Sequence, residues 1–158
     1  MKRIKEVMNM FLLYFTAFLL IIMTSLVVWQ VFTRYILSNP SVFTEELVRI
    51  ILVWSSFLGA AYAFGTRQHM ALVFLKEKLK GNSQRAICVF IDIMILVFAT
   101  VVLIKGGYKL VLGVEGVKTP ILGISKQTVY MIAPISGILI TIYQLVNIKE
   151  DLEITDEL

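Results

Sequence analysis

One cysteine, one histidine and three prolines are all that the 158 residues contain of those types. The cysteine, Cys88, sits in an apolar run, so the chain has no disulfide framework and no thiolate metal cluster. A single imidazole, His69, adds little material for metal or redox chemistry. No Walker motif, Rossmann glycine pattern, His-Glu zinc motif or nucleophile elbow occurs. No catalytic residue, metal site or cofactor of its own is therefore expected, and an enzyme is not. Charge is also scarce: 16% of residues are Asp, Glu, Lys or Arg, against roughly 25% in a soluble domain. The net charge of +4 arises from basic residues that are scattered or flank apolar runs. Nucleic-acid binding needs a concentrated basic face, which excludes that class.

Apolar sequence is abundant instead. Hydrophobic residues make up 58% of the chain and the mean hydropathy is +0.84. That balance predicts an all-α integral membrane protein forming a single four-helix membrane domain over residues 1–158. The first span is expected at about 9–32, inside a charge-free run from 7 to 33. This run is too long for the apolar core of a signal peptide, about 7 to 15 residues, and reads as a retained helix. Three further spans are expected at about 47–64, 86–110 and 128–146, with a flexible acidic tail over 149–158. Residues 70–79 fit a short amphipathic helix lying in the membrane surface. Basic residues number nine on the side of the termini and of the 65–85 loop, and six on the other. This bias places both termini in the cytoplasm.

The densest mixture of charge and apolar sequence is the join between the first two spans, residues 28–69. Arg34 and Tyr35 close the first span, and Asn39-Pro40-Ser41 is a turn signal. Thr44 is positioned to cap a helix starting at Glu45, where Glu45 and Glu46 would favour the positive end of its dipole. Arg49 lies four residues after Glu45 and three after Glu46, so it can pair with either. Arg34 admits four readings: snorkelling to lipid head groups, an ion pair with Glu45 or Glu46, a subunit contact, or, least favoured, direct substrate contact. The two glutamates divide between helix-start electrostatics and a docking surface. Trp54 reads as a packing or interface aromatic. Gly59, with Ala60 and Ala61, allows close helix approach. His69 reads as an interface or lipid-facing group rather than a proton relay, and Asp92 as a cap, a pair for a nearby base or a polar contact between spans, with a coupling-ion ligand the weaker choice. Pro134 should kink the fourth span.

Four spans with no convincing internal repeat are few for an autonomous secondary transporter. The residues alone suggest an accessory membrane subunit, with a stand-alone homo-oligomeric transporter or channel, or an interaction-only regulator, as alternatives.

Several blocks resemble the small permease subunit of TRAP (tripartite ATP-independent periplasmic) transporters, the DctQ-like family. They are Val31-Phe32-x-Arg34-Tyr35, Thr44-Glu45-Glu46-Leu47, then Trp54, Gly59-Ala60-Ala61 and His69. Thr119-Pro120-x-Leu122-Gly123-Ile124 and Tyr130-x-x-x-Pro134-x-x-Gly137 follow. Thr119 and Lys126 depart from the family pattern. The resemblance implies a multi-pass protein of the bacterial inner membrane. Its partners would be a large permease subunit, a periplasmic substrate-binding protein and membrane lipids. It also implies sodium-coupled uptake of an organic acid such as a C4-dicarboxylate or sialic acid, with the sodium site in the large subunit. This chain would be a scaffold for that subunit.

Overall fold

The computed structural model of the chain describes residues 2–66 and 82–153. Helix α1 runs Lys2–Tyr35. Nothing interrupts it, because no proline or glycine occurs in that stretch. It ends where Ser38 turns into the left-handed region (φ 49) and the Asn39 N–H donates back to the Thr33 carbonyl at 3.1 Å.

Helix α2 runs Val42–Gly65, so it starts three residues before the expected Glu45. Ser41, held extended after Pro40, occupies the position preceding the helix. Thr44 is consequently not the cap; its hydroxyl donates to the Ser41 carbonyl at 2.8 Å.

The third rod contains α3 (Asn82–Phe98), a π-helical segment (Ala99–Gly106) and α4 (Gly107–Gly113). The fourth begins with a single turn, α5 (Lys126–Tyr130), and continues as α6 (Ile132–Glu153). The break falls at Met131. Pro134 explains it, since proline offers no N–H to the Tyr130 carbonyl and its ring crowds that preceding turn.

Among the described residues, four helices reach membrane-spanning length: Lys5–Tyr35, Val42–Gly65, Val89–Gly113 and Lys126–Lys149. Each has 24 to 31 residues, where about 20 suffice to cross the apolar layer. The amphipathic segment expected at 70–79, and His69, lie outside the described residues.

The rods pack in a series. Helix α1 packs on α2, α2 on α6, and α6 on α3 and the π segment. Helix α6 is thus central, with 44% of its span window buried, whereas only 6% of the α1 window is. Leu12, Leu58, Ala61, Ala99, Ile132 and Tyr143 form the core. In lipid such contacts hold by close packing rather than by exclusion of water.

Glycines on both members of the contact between α6 and the third rod supply that closeness. A Cβ on Gly137 would meet the Leu103 Cβ at 2.8 Å, and one on Gly107 would meet the Pro134 Cδ at 2.9 Å. The π segment and the proline turn are therefore in near backbone contact. Two polar bonds tie α1 to the far end of α6. Tyr143 Oη donates to Asn9 Oδ1 and Lys5 Nζ donates to Asn147 Oδ1, each at 2.7 Å.

Candidate functional site

The loop between α4 and α5 folds into a tight hairpin whose tip is captured by α2. Lys118 and Ser125 form an antiparallel bridge, and the Thr119 N–H donates to the Ile124 carbonyl at 2.8 Å. The Ile124 N–H in turn donates to Thr119 Oγ1 at 3.0 Å. Gly123 takes φ +65, a left-handed turn that glycine adopts without a Cβ penalty. This geometry aims two successive amides, those of Ile121 and Leu122, at one point. Glu46 Oε2 occupies that point and accepts from both at 3.0 Å. A carboxylate receiving two backbone N–H groups is a charge-assisted contact, stronger than a neutral pair. One side chain on the first turns of α2 thus fixes a loop about 75 residues later in the chain.

Beside this clip is a cleft of about 670 Å³. Glu45, Glu46, Arg49 and Lys126 contribute its charges, with Thr119 and Tyr130 beside them. Val42, Ile50, Val53 and Val129 form its apolar walls. Arg49 Nη2 pairs with Glu45 Oε1 across one helical turn. The charges suit holding a loop, a head group or a protein surface.

The structure distributes the remaining residues singled out in the sequence. Arg34 is exposed in the last turn of α1 and, among the described residues, makes no ion pair with Glu45 or Glu46. Tyr35 is exposed beside it. Trp54 is half-buried against the core and lines an apolar groove with Phe11 and Ile135. Gly59 has room to spare: a Cβ there would meet only Thr16 Cγ2, at an ordinary 3.9 Å. Asp92 is buried on α3, the helix that packs on α6. Pro134 lies against Gly107. Glu45, Glu46 and Arg49 therefore come together, while Arg34, Trp54, Gly59, Asp92 and Pro134 serve other places.

Sequence reasoning did not find the pairing of Glu46 with the hairpin, because a carboxylate bound to backbone amides leaves no side-chain signature at its partner. It also passed over Asn9, Gly65, Tyr143 and Asn147. Asn9 within a charge-free run was the available signal, since a polar side chain in lipid needs a partner.

A multi-pass helical membrane protein with its charges gathered at the ends of spans, rather than around a reaction centre, fits a membrane transport component. The family model for "Tripartite ATP-independent periplasmic transporters, DctQ component" matches residues 23–153. The putative TRAP transporter small permease protein of Haemophilus influenzae is 32% identical over 124 residues, covering 78% of this chain and 76% of the relative. The sialic acid TRAP transporter small permease protein SiaQ of Vibrio cholerae is 24% identical over 148 residues, covering 94% and 85%. The chain belongs to the DctQ family of TRAP transporter small permease subunits. It is a multi-pass membrane protein, consistent with the bacterial inner membrane, and a transporter subunit rather than an enzyme.

Proposed function

We propose that this chain is the stationary brace for a large permease subunit in a sodium-coupled TRAP transporter of organic acids. The observation that carries the reading is the serial packing of the rods. Helix α1 packs one face on α2 and leaves the other, with Phe11, Phe18, Val28 and Val31 along it, without cover inside the chain. A surface of that extent is suited to lipid on one side and a second membrane protein on the other. The single four-helix membrane domain would have both termini in the cytoplasm and the Glu46-clipped hairpin facing the periplasm. Residues 70–79 would lie along the cytoplasmic surface. A periplasmic binding protein would deliver substrate to the complex from the hairpin side. Coupling sodium would bind in the large subunit. Sialic acid as the substrate is supported by the relative named for it; C4-dicarboxylates and other organic acids are the alternatives within this reading.

Affinity purification of the tagged full-length chain tests the reading. A large multispan protein should accompany it in stoichiometric amount. Proteoliposomes holding both should take up the organic acid with sodium, and those holding this chain alone should not. Sodium-driven uptake by this chain alone would overturn the proposal.

A further inference from the structure

The cleft between α2 and the hairpin carries charges of both signs over an apolar floor. It lies where two spans begin, at Val42 and at Lys126. That is the depth at which a bilayer changes from hydrocarbon to head groups. Glu46 is committed to the hairpin amides and Glu45 is engaged with Arg49. The Lys126 ammonium, among the described residues, has neither an ion pair nor a side-chain hydrogen bond. Its own backbone N–H is used by Val117, which fixes the base of the side chain at the mouth of the cleft. Arg49 is the more exposed member of its pair, at 74% of its side chain, so its guanidinium retains donors for a further acceptor.

We propose that this cleft binds a zwitterionic aminophospholipid, with its phosphate on Lys126 and Arg49, its ammonium on Glu45, and an acyl chain along Ile50, Val53 and Val129. Two cations and two carboxylates at one mouth leave no net charge. An anionic head group would gain Lys126 but compete with Glu45 for Arg49 and bring Glu45 no donor in return. A zwitterion satisfies both signs. A primary ammonium donates N–H groups to the Glu45 carboxylate, which a choline head group lacks. The apolar walls continue from this mouth along α2, in the direction an acyl chain takes from its head group. The site is independent of the scaffold reading, because it is formed within one chain.

The test uses the full chain, purified in detergent with an equimolar mixture of phosphatidylethanolamine, phosphatidylcholine and phosphatidylglycerol. Retained lipid is read by native mass spectrometry. The wild type should retain phosphatidylethanolamine about tenfold over the other two, the margin of one good charge-assisted contact. Lys126→Ala should lose that preference, and Lys126→Arg should keep it. Glu45→Gln should shift retention towards phosphatidylglycerol. Equal retention of all three lipids by the wild type, or an unchanged preference in Lys126→Ala, would overturn the proposal. So would a photo-crosslinker at Leu52 that captures polypeptide, and not lipid, from membranes. If Lys126→Ala proves too unstable to purify, Lys126→Arg and Glu45→Gln decide the matter.

Discussion

Gly65 and Tyr143 fit each other as a socket and a ring. A Cβ on Gly65 would lie 2.6 Å from Cε1 and Cζ of the tyrosine, inside any permissible contact. The ring is buried against α2, and its hydroxyl reaches Asn9 on α1. One aromatic residue on α6 thereby joins three spans.

Gly65→Ala should force the ring or the helix aside and destabilise the purified chain by about 1–3 kcal/mol. Tyr143→Phe keeps the ring and removes only the bond to Asn9, so it should cost about 1 kcal/mol. Thermal melting in detergent separates the two. Equal melting of Gly65→Ala and wild type would mean that the socket is not tight.

Loss of the Glu46 clip should loosen the hairpin without unfolding the spans. In Glu46→Ala, amide exchange at Ile121 and Leu122 should accelerate about tenfold, as expected for the loss of a charge-assisted acceptor. Exchange within α6 should stay unchanged. Glu46→Gln retains a carbonyl oxygen and should fall between the two. Hydrogen–deuterium exchange on peptides covering residues 114–125 reads this directly.

Gly137→Ala should be among the most damaging small substitutions. Its methyl group would meet Leu103, Ile104 and the backbone of the π segment at 2.8 to 3.1 Å. Backbone contacts yield less readily than flexible side-chain ends, so about 1–3 kcal/mol of destabilisation is expected. Gly59→Ala is the control. It adds the same group where space exists, and should change the melting temperature little.

Arg34→Ala should leave the melting of the isolated chain within about 0.5 kcal/mol of wild type, because its side chain is exposed. Under the scaffold reading, the same variant should recover less of the large partner in affinity purification. Undiminished recovery would remove Arg34 from the proposed partner surface.

The four spans were legible because each is a long apolar run bounded by charge or by turn residues. The Arg49–Glu45 pair was legible because helical spacing alone brings those positions together. The start of α2 was not: Thr44 and Glu45 carry a good capping pattern, but Pro40 and Ser41 set the helix going earlier. Nor was the role of Glu46, since the donors it accepts from are main-chain amides of a distant hairpin. Gly59 drew notice through its small neighbours, whereas the glycines that permit close contact, Gly65, Gly107 and Gly137, are defined by what faces them. Local pattern reports where a helix runs, and only tertiary packing reports what each of its faces meets.

The bonds from α1 to α6 also impose an order on biogenesis. Asn9 and Tyr143 are separated by 134 positions, and Lys5 and Asn147 by 142. These two polar contacts of the first of the four spans thus form only when the last one emerges. Until then Asn9 must wait in the bilayer without Tyr143, exposed to quality-control proteases and to competing helices. Truncation or stalling anywhere before Tyr143 leaves that waiting state permanent, so the cell should clear shortened chains even when three of the four spans have been inserted.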